Sequence, residues 1–272
     1  MDEAPFISDP KETLRRLARG ARAGLVSTER SGELLGVGTK AASLILGRLV
    51  RQGWLSRVRR GLYLILPLEA GREGTMIEDS WVLAREVYAP CYIGGWTAAE
   101  HWGLTEQLFR ATFVVTSANI RLSRETLLGT EFHLTRGTPE RVAQVGQVWR
   151  GRERVAVSDR ERTIADALAN PSWVGGVRHF VEILRRYRES KEWNPNHLIE
   201  RIDEIGSGAS FKRLGYLAET VLKSDPRLVN EALARRTSGV VKLDPAIAVR
   251  GRINTRWGLS VNVPLAAGTP DK

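Results

Sequence analysis

At 272 residues and 42% hydrophobic, the chain has material for one large domain or two ordinary ones, which excludes wholesale disorder. A single cysteine, Cys91, excludes an intrachain disulfide framework and any multi-cysteine zinc site, and it suits a reducing compartment. The net charge of +10 is unevenly spread: residues 11–66 hold 12 Lys and Arg against 3 Glu, whereas residues 67–90 hold 2 against 5 acids, the pattern expected when one stretch meets a polyanion.

The first clear element is a helix start at Asp9-Pro10-Lys11-Glu12, with an acceptor cap, Pro in the first turn and Glu three residues after the cap. Leu14, Leu17, Ala18 and Ala21 are expected inside, and Arg15, Arg16, Arg19 and Arg22 outside. Leu25-Val26 reads as a short strand. Ser27 or Thr28 then caps a short helix carrying Leu34 and Leu35, and Gly36-Val37-Gly38 makes a turn.

The stretch Val37–Leu66 follows, and the rest of the chain is organised around it. Thr39 is a candidate cap, Gly53 a candidate left-handed terminator, and Ala42, Ile45, Leu46 and Leu49 form one apolar stripe between them. At 100° per residue Lys40, Leu44, Gly47, Arg48 and Arg51 fall on the other side. Trp54–Val58 and Leu62–Leu66 read as two strands bent at Arg59-Arg60-Gly61. Helix, strand, helix, turn, helix, hairpin is the order of a winged helix-turn-helix, which offers a rod for the major groove and an arm for the flanking phosphates. The expected DNA-binding residues are Thr39, Lys40, Ser43, Leu44, Gly47, Arg48 and Arg51 on the helix, and Arg57, Arg59 and Arg60 on the hairpin. The plain alternative is a solvated helix and hairpin, since charged outer faces are common.

Polar PLEAGREGT at Pro67–Thr75 is the best boundary, dividing a domain at 1–75 from one at 76–272. A helix is expected over Glu78–Tyr88 and a strand over Cys91–Ile93, then a helix capped by Thr97. Strands are expected over Ala111–Thr116, Glu131–Thr135, Val142–Trp149 and Val155–Val157. Beyond Asp159 the pattern turns helical, over Glu161–Leu168, Val177–Glu189, Pro195–Ile205, Phe211–Leu222 and Pro226–Arg235, the last capped by Asp225. Val240–Leu243 and Leu259–Val263 are late strands, and Gly268–Lys272 reads as a loose tail. Strands grouped before helices predict α+β, not a doubly wound sheet.

Catalytic and cofactor signals are weak. His101, His133, His179 and His197 lie far apart, with no HExxH, and Cys91 sits in an apolar strand without a nearby base. No GxSxG, GxxxxGK[ST] or GxGxxG occurs. Glu131, Asp159, Glu161 and Asp166 could furnish a metal site for phosphodiester cleavage. Asp159 reads better as a helix cap and Glu161 as a first-turn acid, so neither an enzyme nor a cofactor is expected. The eight tryptophans are scattered as core and corner residues. No apolar run reaches transmembrane length, and Met1-Asp2-Glu3 is acidic where a signal peptide is basic; a cytoplasmic protein with no membrane partner is expected.

Several ordered stretches resemble the AbiEi antitoxin family of bacterial type IV toxin–antitoxin pairs. They are Gly53-Trp54-Leu55 leading to Arg59-Arg60-Gly61-Leu62-Tyr63, then YIGGWTAAEHWGLTEQ (Tyr92–Gln107), VSDRERTIADALANPSWVGG (Val157–Gly176), FKRLGYLAE (Phe211–Glu219), and VKLDP with the later RWGLSVNVP. Trp96 departs from the pattern, standing where the family more usually has a small or polar residue. The resemblance implies a first domain that binds inverted repeats of double-stranded DNA in its own promoter and represses the operon. It implies a second domain that counters a nucleotidyltransferase-like toxin without a stable complex. The rivals are a ligand-responsive winged-helix repressor without antitoxin activity and a DNA-processing enzyme using the acids near Asp159.

Overall fold

The computed structural model describes residues 9–66, 79–222 and 226–265. The boundary expected at Pro67–Thr75, the cap expected of Asp225, and both chain ends fall outside them. Helix α1 (Pro10–Gly20) begins where Asp9 accepts a hydrogen bond from the Lys11 amide at 2.8 Å. It buries Thr13 and Leu17, whereas Ala18, expected inside, is exposed. Strand β1 (Leu25–Ser27) leads into α2 (Thr28–Leu35), capped by Ser27, and Gly36 ends α2 in the left-handed region. Helix α3 (Thr39–Arg51) then buries Ala42, Leu46 and Leu49, and Gly53 at φ +81 turns the chain into β2 (Leu55–Arg59) and β3 (Leu62–Ile65). The three strands form an antiparallel sheet in the order β1-β3-β2.

Both faces of this small sheet are used. Val26, Leu55 and Tyr63 pack against Leu17, Leu35, Leu46 and Leu49 of the three helices. Leu25, Leu62 and Leu64 belong to a different cluster, with Trp81, Val82 and Leu83 of α4 (Ser80–Tyr88) and Ile93, Val114 and Phe132 further along the chain. Period-2 alternation in β3 thus sends Tyr63 one way and Leu62 and Leu64 the other. Residues on either side of the 67–78 stretch share one apolar core.

The larger sheet has six strands in the order β6-β7-β5-β4-β9-β8. They are β4 (Cys91–Ile93), β5 (Thr112–Thr116), β6 (Arg124–Leu127), β7 (Thr130–Arg136), β8 (Gly146–Arg150) and β9 (Glu153–Val157). Pairing is mixed: β4–β9 and β5–β7 are parallel, the rest antiparallel. Helices α5 (Gly95–His101) and α6 (Pro139–Ala143) interrupt the run. Then come α7 (Arg160–Ala169), α8 (Val177–Glu189), α9 (Pro195–Ile205), α10 (Gly208–Thr220) and α11 (Pro226–Arg235). A last three-stranded sheet, β10 (Val241–Lys242), β11 (Arg252–Asn254) and β12 (Leu259–Val261), has the order β10-β12-β11. The fold is α+β, with the six strands of the large sheet all preceding α7.

Three local expectations change. Thr97 does not cap α5: Gly94 holds that position, and the Thr97 hydroxyl accepts from the Phe113 amide at 2.8 Å, tying the helix to β5. Val142–Trp149 is not one strand, because Thr138-Pro139 starts the short α6 before β8 begins at Gly146. Polar β6 and β11 carry no apolar alternation and were not expected. Among the described residues no helix is long and apolar enough to cross a membrane.

Candidate nucleic-acid interface

Helix α3 begins without a side-chain cap. Gly38 occupies the N-cap position, so Thr39 is the first helical residue rather than the cap, and its side chain stays exposed. Along the outward face Lys40, Ser43, Leu44, Arg48 and Arg51 are exposed and Gly47 is half-buried. Leu44 is 76% exposed, so it does not pack on a neighbouring helix.

The hairpin is docked beside the start of this helix by α2. The Thr28 amide donates to the Gly61 carbonyl at 2.9 Å, and the Thr28 hydroxyl reaches the same oxygen at 3.4 Å. Gly61 sits at φ +80, a conformation that a side chain would strain. A groove of about 490 Å³ opens between the two elements, and Thr39, Lys40 and Ser43 of α3 meet Arg57 and Arg60 of the hairpin across it. Its lining holds three cations and one acid, Glu29. Thr28, Glu29, Gly61 and Tyr63 complete it; they were not among the expected DNA-binding residues, because contacts across 33 residues leave no local signal.

Arg59 is elsewhere. The β2–β3 register runs Arg57↔Tyr63 and then Arg59↔Leu62, with an irregularity between them. The extra residue in β2 breaks the alternation, so Arg57 lies with Tyr63 on the helix side and Arg59 with Leu62 on the side of α4. Burial and a hydrogen bond to Glu125 raise the pKa of the Tyr88 hydroxyl in α4, and the charge of Arg59 works against them. Leu44, Arg48 and Arg51 also lie outside the groove, further along α3. Lys40, Arg48, Arg51, Arg57, Arg59 and Arg60 make no ion pair or side-chain hydrogen bond among the described residues.

Three of the four carboxylates weighed for catalysis have other work. Asp166 is fully buried, accepting from Arg141 at 2.6 Å, Arg162 at 3.0 Å and the Tyr92 hydroxyl at 2.7 Å. Asp159 caps α7 through the Arg162 amide at 2.6 Å and pairs with Arg201. Glu161 accepts from the Tyr187 hydroxyl. Among the described residues no group of three or more His, Cys, Asp and Glu is disposed to hold a metal ion. Cys91 is half-buried beside the Ala84 carbonyl, and burial pushes its thiol up to about 12, far from a reactive thiolate at neutral pH.

The stretches at Tyr92–Gln107, Val157–Gly176 and Phe211–Glu219 and the strands near Lys242 and Leu259 are joined by hydrogen bonds and close packing. Tyr92 meets Asp166, and Arg213 donates to the carbonyls of Leu168, Ala169, Lys242 and Leu243. Asp244 accepts from the Val177 amide, and the Trp257 indole donates to Glu219 at 2.7 Å. A side chain at Gly215 would collide with the Trp257 ring.

No family model matches the sequence, and no curated protein matches it. Among solved structures, the chain is similar to the RV2827C protein from Mycobacterium tuberculosis, with a TM-score of 0.61 and 17% identity over 94% of this chain and 92% of that one. At that identity the likeness extends to the fold alone.

Proposed function

We propose that this chain is a DNA-binding transcriptional autorepressor and the antitoxin of a type IV toxin–antitoxin pair. The observation that carries the DNA half is the groove where Lys40, Arg57 and Arg60 converge, all three exposed and without an acidic partner among the described residues. Residues 10–65 have the element order of a winged helix-turn-helix. In this reading α3 enters the major groove, Ser43 and Leu44 face base edges, and Arg48 and Arg51 lie along the phosphates. A backbone phosphate sits in the groove between Lys40 and Arg60. Operator half-sites arranged as inverted repeats would take two copies of the chain.

The antitoxin half is supported by the AbiEi-like stretches at Tyr92–Gln107, Val157–Gly176 and Phe211–Glu219. It needs no catalytic step from this chain and no stable complex with the nucleotidyltransferase-like toxin. The two halves correspond to residues 1–75 and 76–272, in a protein working in the cytoplasm. Their cores touch through Leu25, Leu62, Leu64 and Trp81, so truncation near Met76 would expose apolar surface that point changes on α3 leave covered.

The test uses the full chain. Fluorescence anisotropy with its own promoter fragment should give specific binding that Lys40, Arg57 and Arg60 to Ala strongly weakens. The same triple variant, expressed from a foreign promoter, should still rescue cells producing the neighbouring gene's product. Equal affinity for promoter and unrelated duplex would sink the repressor. Failure of the folded, abundant intact protein to rescue would sink the antitoxin.

A further inference from the structure

The two faces of the six-stranded sheet end differently. Phe132, Leu134 and Leu127 of β7 and β6 point into the core beneath α4. Strand alternation puts Glu131, His133, Arg124 and Thr126 on the opposite face, where Arg124 pairs directly with His133 and Thr126 with Glu131. That face floors a cavity of about 510 Å³, the size of a small-ligand site. One wall is aromatic: Trp96 and Phe109 stack at 5.0 Å and 15°. The Trp96 indole is anchored by donation to the Ala111 carbonyl at 2.7 Å, and His133 stacks on Phe113 at 4.9 Å behind it. Arg110 stands at the rim.

The polar floor is unspent. Among the described residues no side-chain hydrogen bond or ion pair occupies Arg124, Thr126, Glu131 or His133; Glu125, also in the lining, is engaged by the Tyr88 hydroxyl at 2.7 Å. Burial, and secondarily the charge of Arg124, lower the His133 pKa, so the ring is neutral at pH 7 and offers both a donor and an acceptor. An aromatic wall, a carboxylate that accepts N–H bonds and two exposed guanidiniums make three kinds of contact within one cavity.

We infer that the cavity between the Trp96–Phe109 stack and the β6–β7 face binds a purine nucleotide, free or at the end of a strand. The base lies against the aromatic wall and its N–H edge meets Glu131, as guanine's would. The phosphate is held by Arg110 and Arg124. This does not rest on the DNA-binding reading, whose residues lie on α3 and the hairpin.

Isothermal titration of the full chain with GMP, CMP, inorganic phosphate and a short single-stranded RNA is the test. GMP is expected to bind below about 1 mM and more tightly than CMP or phosphate. Phe109→Ala, half-exposed and so safe for folding, should weaken GMP by roughly tenfold or more, as expected when one aromatic platform is taken from a base. Glu131→Gln, on an exposed side chain, should erase the preference for GMP over CMP. Binding of the RNA alone, with the same sensitivity to both variants, would support the strand end as the source of the nucleotide. No binding of any probe, or binding indifferent to both variants while their melting temperatures are native, would overturn the inference.

Discussion

Around α3 and the β2–β3 hairpin, Lys40, Arg48, Arg51, Arg57 and Arg60 are exposed and unpaired among the described residues. Beyond α5, Arg141, Arg162, Arg201 and Arg213 are mostly buried and engaged by Asp166, Asp159, Glu204 or backbone carbonyls. The same residue type serves two purposes, and composition alone does not separate them. A guanidinium in water keeps its charge available for a polyanion, whereas one beside a buried carboxylate has its field cancelled and acts as a bracket between segments. Arg162 joins α7 to the Arg141 carbonyl in α6, and Arg213 joins α10 to the ends of α7 and β10. Deleting an arginine should therefore change affinity in the first region and stability in the second.

The largest effect should come from Asp166. Asp166→Ala takes from Arg162, 1% exposed, its nearer and fully buried carboxylate, leaving only Glu204 at 3.6 Å, and is expected to lower stability by about 3 kcal/mol. Urea unfolding followed by circular dichroism reads this as a lower midpoint at unchanged slope. The double change Arg162→Met with Asp166→Leu should cost clearly less than Asp166→Ala alone. A double mutant as unstable as the sum of its parts would show that Asp166 and Arg162 contribute independently.

On the other side of the comparison, replacing Lys40, Arg57 and Arg60 with Ala should alter stability by no more than about 0.5 kcal/mol. The slope of log affinity against log salt should fall by about 0.9 for each phosphate that the variant no longer neutralises. Arg59→Ala is the internal control, since the bulge turns Arg59 toward Tyr88. A salt titration in which Arg59→Ala flattens the slope as much as Arg60→Ala would place Arg59 on the DNA and contradict the register argument. A smaller effect is expected at Leu44. Its exposure makes Leu44→Ala neutral for stability, and taking away the partner of one thymine methyl should reduce base discrimination by roughly 1–3 kcal/mol. Unchanged preference across a panel of single-base operator variants would remove Leu44 from readout.

These distinctions mark what the sequence could and could not disclose. α3 was legible because an amphipathic period of 3.6 and a glycine at φ +81 are local signals; so was α1, from its Asp-Pro start. The α+β class followed from grouping of strands before helices. Thr39 was misplaced by one residue because Gly38 is also an acceptable cap, and the choice depends on how α2 packs. Polar β6 is a strand because β7 pairs with it, not because RETL favours one. A bulge reassigned Arg59, and no residue pattern announces it. Arg162 reads in the sequence as one more charge in RGRERVAVSDRER; its burial is set by Asp166 four residues on and by Tyr92 across the sheet. The polar floor at Arg124, Thr126, Glu131 and His133 was likewise invisible until β6 and β7 were paired.

The smallest effect expected is a pH dependence at that floor. His133 is half-buried, with Arg124 opposite it on β6, Glu131 on the same face of β7, and Trp96 and Phe113 against its ring. Burial first and Arg124 second lower its pKa below the ordinary 6.5. The unfolded chain, titrating near 6.5, then binds a proton that the folded chain still refuses. Stability from this group is complete above 6.5 and declines as pH falls through 6.5 toward the lowered folded value; below that value both states are protonated and the decline stops. His101, lowered by burial with help from Arg150 and Arg160, adds a decline of the same sign. Carboxylates contribute to any acid destabilisation, so the informative quantity is a difference between variants. His133→Gln should flatten the fall in melting temperature between pH 7.5 and pH 5.5 (about one unit either side of the ordinary value) relative to the parent. Arg124→Gln, which leaves the ring in place and removes only the neighbouring charge, should flatten it by less. If His133→Gln melts with the same pH profile as the parent, proton uptake at this imidazole is not linked to folding, and the ring titrates in the folded chain as it does in the unfolded one.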